Sequence, residues 1–171
     1  STLVTISTAQ SAVTAGDVDL GTTQLTATTA GTDLTIDVSR DQKQGGTVTL
    51  GQVNNAGGQY LNDLTVKLFT AAETGTTQTA GVLKLTGDVK LDGTTTDAGS
   101  LVVTGGSAGT TALTRRGQVQ VVPDALNASS TLVTISTAQS AVTAGDVDLG
   151  TTQLTATTAG TDLTIDVSRD Q

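Results

Sequence analysis

The side chains in this sequence that could do chemistry are mostly carboxylates. Sixteen Asp and Glu stand against eight Lys and Arg, and there is no His and no Cys. That removes Ser-His-Asp and Cys-His nucleophile systems and most transition-metal sites. Paired carboxylates could still serve glycoside hydrolysis. Such a site also needs aromatic and basic side chains to hold a sugar, and Tyr60 and Phe69 are the only aromatics. Phe69 extends an apolar strand and is expected in the core or as a plug under a corner. Tyr60, in the turn GGQYLND, is expected to be partly buried with its hydroxyl outside. Asp33 and Asp63 could be cation ligands, but the glycine-rich nonapeptides of a calcium-binding β-roll are missing. Asp17 and Asp19 read as a solvated face. GGSAGTT (105–111) is glycine-rich without the Lys-Ser/Thr pair of a phosphate loop, and reads as an enlarged corner. The basic doublet Arg115-Arg116 reads as a solvated corner, with contact to a neighbouring chain or an anionic glycan as the alternative. Asn127-Ala128-Ser129 has the form of an N-glycosylation acceptor. The sequence therefore assigns no catalytic, cofactor-binding or metal-ligating residue.

The elements that carry these residues are strands. Residues 1–42 recur letter for letter as residues 130–171, 129 positions on. The domain reading follows: 1–129 is one full unit, and 130–171 begins the next within the same architecture. Inside the unit lies a shorter cycle. Leu3, Leu34, Leu64, Leu101, Leu132 and Leu163 lead similar apolar alternations at intervals of 31, 30, 37, 31 and 31 residues. Apolar-polar alternation rich in Val, Ile and Thr predicts strands, and no segment carries a helix signal. Each cycle has a first strand, a loop, a second strand opened by Gly16, Gly46, Gly81, Gly117 or Gly145, and a weaker third segment. The third segments lie around Leu25, Val53, Val89–Leu91 and Leu126. Pro123, lacking an N–H, can stop pairing after a second strand.

A β-sandwich and a β-solenoid could both use such strands. Column register favours the solenoid. Val18, Val48, Leu83, Val119 and Val147 align, as do Leu20, Leu50, Leu85, Val121 and Leu149. Both columns would form inward ladders, with Asp19, Thr49, Lys84, Gln120 and Asp148 pointing out between them. Asp37 and Lys67 should stand one above the other and pair, for about 0.5 kcal/mol at an exposed site. Asp33, Asp63, Ser100, Ser130 and Asp162, just before first strands, read as corner residues whose side chains bond nearby backbone. The expected fold is an all-β parallel β-helix, about 30–37 residues per coil and four coils per 129-residue unit.

Composition agrees with a narrow core. Apolar residues make up 36% of the chain, aromatics 1%. A net charge of −8 argues against nucleic acid and anionic lipid. No apolar run approaches the ~20 residues of a membrane span. No signal peptide is visible. The absence of Cys excludes a disulfide framework and is compatible with export.

The segments GDVDLGTTQLTATTAGTDLTIDV (16–38) and GTVTLGQVNNAGGQYLNDLTVKL (46–68) resemble coils of filamentous-haemagglutinin-type β-helix proteins and of the large repetitive surface proteins built from them. That resemblance implies an exported, right-handed parallel β-helix used as an adhesin rod or spacer. The expected function is a non-catalytic rod segment of an extracellular or cell-surface fibre, with no cofactor. Its expected partners are further copies of the same repeat, joined covalently or by association. No capping helix or charged lid is visible, so the coil stack is expected to continue into such a copy. The alternatives are a self-assembling fibre subunit completed by a neighbour's strands and, behind it, a β-helix polysaccharide enzyme.

Overall fold

The computed structural model describes residues 2–8, 15–39, 45–68, 80–93, 98–105, 117–122, 132–137 and 145–168. Phe69, residues 106–111, Arg115, Arg116, Pro123, Leu126, Asn127 and Ser130 lie outside them. The described residues are all-β and hold no helix. The strands follow the chain as five passes. The first holds β1 (Thr2–Ser7) and β2 (Val18–Leu25), the second β3 (Thr32–Asp37) and β4 (Thr47–Val53). The third holds β5 (Leu64–Lys67), β6 (Val82–Leu85) and β7 (Val89–Lys90). The fourth holds β8 (Leu101–Thr104), β9 (Gln118–Val121) and β10 (Leu132–Ser136). The fifth holds β11 (Val147–Asp148), β12 (Gln153–Ala156) and β13 (Asp162–Asp166).

All the strand pairings are parallel, and each joins one pass to the next. One sheet runs β1-β3-β5-β8-β11. The other runs β12-β9-β6-β4-β7-β10-β13, with β2 on β4. The second sheet contains two rows of pairings. β4 pairs with β6 through Thr47–Leu50 and with β7 through Val53, so it belongs to both. β2 does likewise, its register shifting between Leu20 and Gln24. The pairings thus fall into three rows, and each row meets every pass once.

Alternation decides what each row buries. In the second row Val48, Leu50, Leu83, Leu85, Val119 and Val121 are buried, while Thr49, Lys84 and Gln120 between them are half-exposed. Leu64, Val66, Leu101 and Val103 do the same in the first row, and Val53, Val89 and Ile135 in the third. The core is one aliphatic cluster running through all three rows.

Two expected registers are corrected. Leu3 is paired with Asp33, and it is Val4 that meets Leu34. In Leu3-Val4-Thr5-Ile6 the face with two apolar residues is that of Val4 and Ile6, and Ile6 meets Ile36. A one-residue slip reverses the face of every side chain, so Leu3 points outward at 64% exposure. Leu132 repeats this: it is 46% exposed, while Val133 is 1% exposed.

The second correction is larger. Leu101 does not lead to Leu132 but to Val147, so Val147 and Leu149 leave the second row, where Leu154 meets Val119. β10 instead stands in the third row, Ile135 on Val89, with β13 on β10. Gly145 likewise lies against Gly99, not Gly117. The physical reason is burial. The third row needs an apolar residue over the Val53–Val89 column, and Ile135 supplies it, with Val133 buried two residues before it. The sequence around Leu126, interrupted by Pro123, has no alternation of comparable strength.

Candidate functional site

The polar side chains are set by where each pass turns into a row. Asp33, Asp63 and Ser100 each stand one residue ahead of a buried first-row Leu. Each side chain accepts from the backbone N–H of the residue above it in the next pass. Asp63 N–H donates to Asp33 Oδ1 at 3.3 Å, Ser100 N–H to Asp63 Oδ1 at 2.9 Å, and Asp146 N–H to Ser100 Oγ at 3.2 Å. The backbone returns the bond. Leu34, Leu64 and Leu101 N–H donate to the carbonyls of Asp63, Ser100 and Asp146 at 2.8, 2.9 and 2.9 Å. Each junction is therefore a two-bond clip. A backbone donor that the ladder does not yet serve finds an acceptor in a short side chain. The buried Asn62 adds its Nδ2 to Asp33 Oδ1 at 2.8 Å.

The other rows open the same way. Thr47 N–H donates to Asp17 Oδ1 at 2.7 Å, and Thr134 N–H to Asp88 Oδ1 at 2.8 Å. Asp88 also pairs with Lys90 Nζ at 3.7 Å. The corner role expected of Asp33, Asp63 and Ser100 is therefore met, by bonds that run between passes. Sequence reasoning missed that Asp17 and Asp88 belong to the same set. The signal was available: a short polar residue immediately before the first buried position of a row.

A second set of carboxylates closes turns locally. Asp19, Asp37, Asp148 and Asp166 each accept from the N–H two residues on, at 2.9, 3.0, 2.7 and 2.8 Å. Ser39 and Ser168 also donate their hydroxyls to Asp37 and Asp166. The hydroxyl and then the N–H of Ser168 hold the exposed Asp166 carboxyl below its ordinary pKa. Asp37 and Lys67 stand in register as expected. Yet the Asp37 carboxylate is turned to Ser39 rather than to Lys67. Two donors fixed two residues away outcompete a solvated ammonium, whose attraction at the surface is weak.

The outward series Asp19, Thr49, Lys84 and Gln120 is in register across four passes, and Thr155 rather than Asp148 continues it. Asp17 and Asp19 are both exposed, and Tyr60 is half-buried. Among the described residues no three His, Cys, Asp or Glu are grouped so as to hold a metal ion. No helix among them is long and apolar enough to cross a membrane, which says nothing of a β-barrel. What this arrangement does chemically is to accept hydrogen bonds from backbone, pass upon pass. No family model, no curated protein and no solved structure matches the chain.

Proposed function

We propose that this chain is a stretch of parallel β-solenoid acting as a non-catalytic rod or spacer in a long repetitive extracellular or cell-surface fibre, of the kind the filamentous-haemagglutinin resemblance suggests. One observation carries the reading: every strand pairs in parallel with the strand one pass away, and the same three rows return in every pass. Such a stack is quasi-one-dimensional, each pass held by its neighbours, so its length can be extended without redesigning the core. The committed carboxylates support the non-catalytic part, because Asp17, Asp33, Asp63 and Asp88 accept from backbone. Parallel strands lie ~4.8 Å apart, so five passes make a segment of roughly 24 Å. Small-angle scattering from the chain, and from a version with one further 129-residue unit inserted in tandem, tests this. The long dimension should grow in proportion to the added passes at constant cross-section. A compact particle that grows in all directions would sink the reading.

One observation favours self-assembly as a second reading. β1, β12 and β13 lie at sheet edges, and Leu3, Val4, Leu154, Ile165 and, just past β13, Val167 are exposed. Edge strands with apolar side chains template pairing with another chain. Concentration-dependent fibre growth by the chain alone would support it, and a monodisperse monomer at high concentration would dismiss it.

A further inference from the structure

The two identical 42-residue segments are not placed alike. β1, β2 and β3 of the first copy run through the first, second, third and again the first row. Their counterparts in the second copy, β10 to β13, run through the third, first, second and third. Every strand of the second copy stands one row behind its twin. We infer that the 129-residue unit spans three and two-thirds passes, so that each unit is turned by one row against the unit before it. This rests on the rod reading above.

The turn is not a local distortion of the second copy. β10 pairs with β13 in the register in which β1 pairs with β3: Thr134 on Thr164 and Ile135 on Ile165 match Thr5 on Thr35 and Ile6 on Ile36. The local bonds also recur. Thr8 Oγ1 donates to Gly16 O and Thr137 Oγ1 to Gly145 O, at 2.7 and 2.8 Å. Thr23 and Thr152 hydroxyls bond Leu20 O and Leu149 O at 2.8 and 2.6 Å. What changes is the short stretch 20–23, strand in the first copy, against 149–152, a turn in the second. Gly21 lies within β2, whereas its twin Gly150 takes φ +56° and divides β11 from β12. Only glycine enters that region without steric cost, so the row change here can run through a bulged strand in one copy and a turn in the other.

The consequence is a display rule. In a continued array each outward side chain returns to the same row only after three units, which is eleven passes or roughly 53 Å at the ~4.8 Å strand spacing. In between, it is shown on each of the other two rows once. A partner that recognises one row of side chains then finds its binding surface on three sides of the rod, which suits multivalent capture from any direction over docking along a single face.

The chain has no cysteine, so cross-links are unambiguous. Gln120→Cys is combined with Thr155→Cys, its partner under the turn, and separately with Asp148→Cys, its partner if the units were in phase. A third pair, Val102→Cys with Asp148→Cys, links first-row partners. Neighbouring parallel strands lie within the Cα separation a disulfide accepts. Oxidation of the full chain, non-reducing electrophoresis and peptide mapping should show the first and third pairs closed and the second at least tenfold less. Closure of 120 with 148, equal closure of both Gln120 pairs, or no closure overturns the inference. A rod-like scattering profile beside any of those results leaves the rod reading standing, whereas a compact profile overturns the rod itself.

Discussion

A carboxylate one residue ahead of a buried strand has a definite use here: it bonds the backbone donor of the pass above. Asp63 is the clearest case, since Ser100 N–H donates to it at 2.9 Å and it also sits over Asp33. Asp63→Ala should lower stability by about 1–3 kcal/mol, because a partly buried N–H loses a charged acceptor. Asp63→Asn keeps an oxygen in place and should recover most of that. Urea denaturation measures both, and an unchanged midpoint for the alanine variant would dispose of the clip. Asp166 makes a pH prediction. Its carboxylate is the form that Ser168 stabilises, so its pKa is depressed. The contribution is present above the ordinary aspartate range and is lost as pH falls through the depressed value. Carboxyl NMR should show Asp166 titrating below an ordinary aspartate, and Ser168→Ala, which removes the hydroxyl but keeps the N–H bond, should raise it part of the way back.

At the scale of the element, the strands are legible because their alternation is strict. Leu83-Lys84-Leu85 and Val119-Gln120-Val121 announce which side is inside, and the second-row column Val18, Val48, Leu83, Val119 is found as expected. The first strand is less legible because Leu3 and Val4 are adjacent apolar residues, and alternation alone does not choose between them. Only the partner Ile36 under Ile6 does. Corners depend on close approach of passes. A β-carbon built on Gly81 would lie 2.4 Å from the Gly46 carbonyl oxygen, which belongs to rigid backbone. Gly81→Ala should therefore cost about 1–3 kcal/mol by overpacking, read as a lowered thermal midpoint. Lys84→Ala, three residues on and outward, should stay within about 0.5 kcal/mol.

At the scale of the whole molecule, the proposed solenoid predicts order that is graded along the stack. Leu64, Leu83, Leu101 and Val119 in the middle passes are fully buried, whereas Leu3 and Val4 in β1 and Ile165 in β13 are exposed. A quasi-one-dimensional structure opens where neighbours are fewest. Amide exchange should be slowest in β5, β6, β8 and β9 and fastest in β1 and β13. Uniform protection through all five passes would contradict that gradient. The charge reading belongs to this scale too. The outward series Asp19, Thr49, Lys84 and Gln120 sets one negative and one positive charge along a row, with uncharged residues next to each.

The repeated segment separates what local sequence decides from what it leaves open. The Asp-x-Gly and Asp-x-Ser turns and the pairing of LVTIS with DLTID are the same in both copies. Each depends on residues within about thirty positions of one another, and those are identical. The row each copy occupies is not written in the copy. It depends on which apolar ladder lies uncovered when the chain arrives. For the second copy that ladder is Val53 and Val89, and burying it outweighs returning to Leu101. Burial free energy is non-directional and is settled only by the assembled core, so identical sequence yields the same local turns and first-strand pairing but a different address for each copy.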